Sequence, residues 1–195
     1  MRLVVTGTPG TGKTTIASRL AEMLNLRYVN LNRELVKSGA CRYNPEIFSY
    51  EVIDVEHAEK LVREILLEND NSVFDTLLVE LVDPSLIDWV IVLRLNPYIL
   101  YRRLREERGW RGRKLCENVL AEILDYSLVK AIESVGEDKV IEVDTTGKSV
   151  EEVIREILEK MSSCSPSHGV VDWLSVVDPE FLLKLDLCRE GEDEL

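Results

Sequence analysis

The 195-residue sequence predicts an α/β fold, a five-stranded parallel sheet with helices on both faces. Three features carry this: strand-like and helical runs alternate, the first strand opens through a glycine-rich turn into a helix, and the length suits one domain with a full apolar core. Strand-like runs lie at 2–7, 27–31, 72–81, 88–95 and 139–146, and helical spacing at 13–24, 54–68, 97–107, 113–134 and 149–161. Several boundaries have a chemical cause. Asn96 before Pro97 is an N-cap followed by a first-turn proline, and Ser149-x-x-Glu152 is a capping box. Residues 162–169, SSCSPSHG, read as a linker. The segment after them is apolar enough to dock somewhere, and CREGEDEL is an acidic end. No internal repeat is visible.

The first strand ends at Gly7, and GTPGTGKT follows before the spacing turns helical through Ile16, Ala17 and Leu20. In this strand-to-helix context the spacing G-x-x-x-x-G-K-T is a phosphate-binding loop. Gly10 and Gly12 let successive backbone N–H groups turn inward as an anion nest, and the helix N-terminus adds partial positive charge. Lys13 reaches the β- and γ-phosphates, and Thr14 offers a hydroxyl to Mg²⁺. Asp75 closes the apolar run SVFD and is the candidate acid beside the metal, with Glu80 and Asp83 as rivals.

The formal charge is −12, which argues against broad nucleic-acid binding and favours a basic protein partner. One run reverses the sign: residues 102–114, RRLREERGWRGRK, hold seven basic and two acidic residues, so the run carries +5 and the rest −17. Gly109 and Gly112 are read as hinges of a short lid whose Arg108, Arg111, Arg113 and Lys114 close over a transferring phosphoryl group. The alternative is a solvated helix face. DTTG at 144–147 matches the D-x-x-G of GTPases but lies too late in the chain for that role. It is read as the turn into the last helix, with Gly147 near the base of the bound nucleotide. His57 sits among acids on a helix and is read as solvated.

No charge-free apolar stretch reaches the ~18 residues of a membrane helix, and no signal-peptide region leads the chain, so a cytoplasmic protein is expected. Cys41, Cys116, Cys164 and Cys188 are scattered without a C-x-x-C pair and are read as reduced thiols. The chain has no Gln, which removes the water-orienting residue that small GTPases use.

The order of loop, aspartate strand, VIVLRLNPYILYRRLREERGW and VIEVDTTGKSVEEV resembles the nucleoside monophosphate kinases. GTPGTGKTT, RYVNL, VLRLN and above all ERGWRGRKLCENVLAEI are similar to the sixth adenylate kinase isoenzyme group, the adenylate kinase-like NTPases of ribosome assembly. The likeness covers roughly residues 1–161, with 162–195 as linker and tail. It implies sheet order 2-3-1-4-5, an acceptor segment near 29–58 and a lid near 106–116. It also implies Mg²⁺ with ATP as donor (and ADP as product), AMP as acceptor, ATPase activity, and a role in small ribosomal subunit maturation with a basic ribosomal protein. Position by position, the resemblance assigns Gly10, Gly12, Lys13, Thr14 and Thr15 to the phosphate cradle, Asp75 to the metal strand and Arg108 to the lid. Arg33, Lys37 and Arg42 are the candidate acceptor-binding cations. The group's D-x-H pattern fails here, because Leu77 stands where the histidine belongs, and the G-F-P-R arginine and base-reading Gln of ordinary adenylate kinases are missing.

Two further classes stay open. One is an assembly factor whose ATP cycle releases a bound ribosomal protein. The other is a kinase of a non-nucleotide metabolite such as shikimate.

Overall fold

In the computed structural model, residues 1–44, 49–163 and 166–190 are described. The central sheet is parallel throughout. Its strands are β1 (Arg2–Gly7), β2 (Arg27–Asn30), β5 (Ser72–Asp75), β6 (Trp89–Arg94) and β7 (Val140–Asp144), in spatial order β2-β5-β1-β6-β7. A two-stranded antiparallel hairpin, β3 (Cys41–Asn44) with β4 (Ser49–Val52), stands apart. Leaving the hairpin aside, the sheet order is the expected 2-3-1-4-5.

Side-chain alternation along the strands builds two cores. Val4, Phe74, Val90, Val92 and Val140 face one side, where α2 (Leu31–Ser38), α3 (Val55–Glu68) and α6 (Tyr126–Val135) cover them. Leu3, Val5, Val73, Ile91, Leu93, Ile141 and Val143 face the other, against α1 (Lys13–Leu24) and α7 (Val150–Ser162). A third apolar cluster joins α4 (Pro97–Glu106) and α5 (Gly112–Ile123) to the tail helix α9 (Pro179–Glu190) and to Val177, which follows the short α8 (Trp173–Val176).

The expected caps form. Asn96 accepts the N–H groups of Tyr98 and Ile99, and Ser149 and Glu152 make the reciprocal capping box. Asn30, which sequence spacing did not mark, caps α2 through the N–H of Arg33.

Three expectations are corrected. The run 72–81 is not one strand: β5 stops at Asp75, the Thr76 hydroxyl accepts the N–H of Leu78, and 79–81 turn as a 3-10 helix. Leu78, Val79, Leu81 and Val82 are apolar because they roof the core, not because they continue the sheet. The run 113–134 is not one helix: Asp125, at φ 56, breaks it into α5 and α6. Nor are all four cysteines reduced, since Cys116 and Cys188 form a disulfide and Cys41 is the free thiol among the described residues. Cys164 lies outside the described residues. The pairing was invisible in sequence because 72 positions separate the partners. No helix among the described residues is long and apolar enough to cross a membrane.

Candidate active site

β1 delivers the loop to the carboxyl end of the sheet, between β5 and β6, where ligands of doubly wound folds sit. The loop closes on one carbonyl. Thr8 accepts the Thr11 N–H at 3.2 Å, the Thr11 hydroxyl at 2.9 Å and Lys13 Nζ at 3.0 Å. Gly10 and Gly12 have φ of 99° and 96°, which frees the backbone N–H groups to face the nest. Gly12 stands at the N-cap of α1 without a capping side chain, so the helix's first donors are available to an anion.

Lys13 is buried, and burial pulls its ammonium down to a pKa of about 8. Asp75 opposes this, Arg108 reinforces it, and Glu122 opposes it again. A bound phosphate would supply the counter-charge that burial removes.

Asp75, 2% exposed at the end of β5, gathers three groups on Oδ2: the Thr14 hydroxyl at 2.7 Å, the Tyr28 hydroxyl at 3.1 Å and Asn30 Nδ2 at 3.2 Å. A carboxylate and a hydroxyl in contact, both hard oxygen donors, fit a Mg²⁺. The rivals lie elsewhere. Glu80 and Asp83 line a separate surface cavity with Lys60 and Arg63, and Asp83 is paired with Arg63.

Two cavities flank the loop. The first, about 390 Å³, is lined by Gly10, Thr11, Gly12, Thr15, Arg103, Glu107, Arg108, Thr145 and Lys148. The second, about 230 Å³, takes in Lys13, Thr14, Asp75, Asn30, Asn32, Tyr50 and Leu77, and shares Gly10, Gly12, Thr15 and Arg108 with the first. Thr14, Asn30 and Tyr50 lead from it into a third, lined also by Tyr28, Arg33, Val36, Lys37 and Tyr43.

The four cations expected to form a lid are placed very differently. Arg108 reaches both loop cavities and lies over the Trp110 ring, 5.6 Å from its centroid. Lys114 is buried with Nζ 3.2 Å from the same centroid, and burial, with Arg108 adding to it, lowers its pKa to about 7. Arg111 donates to the carbonyls of Arg105 and Trp110, and Arg113 pairs with Glu117 at 2.7 Å. Gly109 and Gly112 both adopt positive φ, 68° and 52°.

The remaining candidates are placed as follows. Arg33 and Lys37 line the third cavity, Lys37 while paired with Glu34 at 2.7 Å. Arg42 does not: it pairs with Glu51 across the hairpin. Gly147 supplies the turn after β7, at φ 69°, but its neighbours Thr145 and Lys148 line the first cavity. His57 is exposed on α3. Sequence reasoning missed Tyr28, Asn30, Asn32, Tyr50 and Arg103, and apart from Asn30 none of them stands in a recognisable spacing. Asn30, an N-cap residue ahead of a leucine-patterned run, was the readable one.

A family model described as "AAA domain" matches residues 3–125. The chain belongs to this AAA-domain family. Relatives of the AAA-domain protein include one from Methanocaldococcus jannaschii described as "Putative adenylate kinase", 39% identical over 173 residues, which are 89% of this chain and 93% of that one. A Pyrococcus abyssi protein of the same description is 41% identical over 179 residues, 91% and 94% of the two chains. Among solved structures, shikimate kinase from Aquifex aeolicus aligns over 84% of this chain and 97% of its own at TM-score 0.56 and 18% identity. That of Acinetobacter baumannii aligns over 83% and 93% at TM-score 0.59 and 14% identity. At such identities the likeness is one of fold, and it places the AAA-domain protein in the P-loop kinase fold.

Proposed function

We propose that this protein transfers the γ-phosphoryl group of ATP to a nucleoside monophosphate, AMP foremost, through residues 1–161 with 29–58 as acceptor segment and 106–116 as lid. The observation that carries the reading is the meeting of two cavities at one phosphate loop, with Gly10, Gly12, Thr15 and Arg108 in both walls. Such a site holds two anions end to end. The relatives described as putative adenylate kinases support it.

In this reading ATP occupies the first cavity, its β- and γ-phosphates in the loop and its base towards Thr145 and Lys148. The acceptor occupies the second and third, where Tyr28, Tyr43 and Tyr50 offer ring surfaces and Arg33 a cation. Three tyrosines favour a ring-bearing acceptor over a small metabolite. The bond from the β,γ-bridging oxygen to phosphorus breaks as one from an acceptor phosphate oxygen forms. Lys13 and Arg108 are placed to neutralise the charge spread over the transferring group. Thr14 and Asp75 would hold Mg²⁺, which would supply further neutralisation of phosphate charge.

Hydrolysis is the weaker half of the activity. Leu77 fills the second cavity's wall where the resembled group has histidine, and an apolar side chain cannot orient or deprotonate water. A second reading, an ATP-cycling assembly factor for a basic small-subunit ribosomal protein, is favoured by the charge of −12. ADP release from ATP alone, with AMP, and with a basic ribosomal protein separates the two. The kinase reading expects AMP to raise ATP consumption at least about tenfold, in line with an acceptor prebound in line. Fast hydrolysis indifferent to AMP would refute it, and stimulation by the basic protein alone would favour the assembly factor.

A further inference from the structure

The tail docks on the two helices that flank the lid. Phe181 of α9 stacks on Tyr98 of α4 at 4.5 Å between centroids and meets Tyr101 edge-on at 5.8 Å. The Tyr98 hydroxyl accepts the N–H of Asp178 at 2.8 Å. Trp173 of α8 donates its indole N–H to Glu122 of α5 at 3.2 Å, and Cys188 is bonded to Cys116 of α5. Val177, Leu185 and Cys188 belong to the same cluster as Leu100, Leu104 and the lid's Trp110.

That cluster touches the phosphate loop. A Cβ on Gly10 would lie 2.7 Å from Leu100 Cδ1 and 2.9 Å from Leu104 Cδ2, so the loop rests directly on α4. Arg103 of α4 also donates to the Gly10 carbonyl at 2.8 Å. Tail, α4 and loop are therefore in contact in series, and a shift of α4 cannot leave Gly10 unmoved. Among the described residues no comparable contact joins the tail to the third cavity, where the acceptor's ring would lie and whose walls come from β2, α2, the hairpin and Thr14 of α1.

We infer that residues 170–188 are a strap that positions the ATP side of the site, locked by the Cys116–Cys188 disulfide. The strap holds α4 and α5, and through them Gly10, Arg103 and Arg108. A short helix packed on the surface through one face unfolds locally at low cost unless it is tied down, and the disulfide supplies the tie by keeping Cys188 at α5. Both cysteines are fully buried, so a reductant reaches the sulfurs only as α9 lifts. Reduction by a dithiol passes two electrons and two protons to the pair, leaving two cysteine thiols and oxidising the dithiol to its own disulfide. The strap rests on the reading of the first cavity as the nucleotide-donor site.

The test uses the full-length chain. Thiol titration of the unreduced, denatured protein should find no more than two thiols, and four would overturn the proposal. ADP and AMP binding are then measured by calorimetry on the oxidised chain, on the same chain after dithiothreitol, and on Cys188→Ala. Reduction and substitution should each weaken ADP binding about fivefold or more, the usual lower range of coupling between sites. AMP binding, which also draws on the third cavity, should weaken clearly less than ADP binding, and dithiothreitol should do nothing further to Cys188→Ala. The reduction arm needs no refolding, so a poorly folding variant does not spoil the test. A lower thermal midpoint with unchanged ADP affinity would make the disulfide a staple without a positioning role. Equal loss of ADP and AMP affinity would indicate general loosening and would also overturn the strap. An oxidised chain that binds no ADP would remove the donor-site reading and the strap together.

Discussion

Lys13 must stay charged where burial opposes charge, and its pKa of about 8 places the conflict within reach of experiment. Only the ammonium form attracts a triphosphate, and binding restores the charge. ATP affinity should therefore be flat below pH 8 and fall as pH rises through it, about tenfold between pH 7 and 9 as the charged fraction drops. Lys13→Met should bind weakly and lose this slope, and ATP titrations at several pH values would show it. An unchanged slope in the variant would assign the titration to another group, Lys114 first. In turnover, Lys13→Ala should cost roughly two orders of magnitude, because one preorganised charge contact is worth about 3 kcal/mol. Turnover within threefold of wild type would remove Lys13 from the mechanism.

At the scale of elements, the loop's two glycines are needed for different reasons. Gly10 has positive φ and also lies against Leu100 and Leu104, whereas Gly12 has positive φ with nothing within 4 Å of its missing Cβ. Gly12→Ala should cost only backbone strain, about 1–2 kcal/mol. Gly10→Ala adds overpacking of buried leucines, about 1–3 kcal/mol more. Thermal denaturation without nucleotide should therefore rank Gly10→Ala below Gly12→Ala, by several degrees at about 2–4 °C per kcal/mol for a chain of this size. Equal midpoints would mean that α4 gives way freely, which would also weaken the contact on which the strap depends.

For the whole molecule, Arg94 at the end of β6 is the junction. It is 1% exposed and bonds to Glu122 of α5 at 2.9 Å, to Glu142 of β7 at 2.5 Å and to Asp125 between α5 and α6. Glu122 also accepts the N–H of Leu95 and the indole of Trp173, and Glu142 accepts the N–H of Val170, so strands, α5 and tail meet in one ionic knot. Burial opposes the guanidinium's charge, yet Glu122 and Asp125 more than offset it and raise its pKa above the ordinary value. Arg94→Met would leave buried carboxylates without their cation, at a cost of about 3–5 kcal/mol. Neutralising two of those carboxylates as well, with Glu122→Gln and Glu142→Gln in the Arg94→Met background, should recover part of the loss. Chemical denaturation of the single and combined variants checks this, and a deficit that does not shrink would show that lost packing, not orphaned charge, dominates.

Residues close together in the chain settled what could be read from sequence: the strand-loop-helix at 2–24, the caps at Asn96 and Ser149, the alternation that gives a parallel sheet, and the sign reversal at 102–114. Each depends on periodicity or turn chemistry within a few positions, where the chain has little freedom to do otherwise. Tertiary structure decided the rest. An apolar run at 77–82 reads like a strand whether it joins a sheet or roofs a core, and no local signal says that Asp125 will break a helix. Thr14, Tyr28 and Asn30 meet at Asp75 from 45 to 61 positions away. Of the four cations expected in a lid, Arg108 alone lines the loop cavities, while Arg111, Arg113 and Lys114 are taken up elsewhere, since which side of a segment points inward depends on what it packs against. Cys116 found Cys188 for the same reason: a bond across 72 positions follows from how α9 docks, and docking is a property of surfaces that exist only once the sheet and its helices have formed.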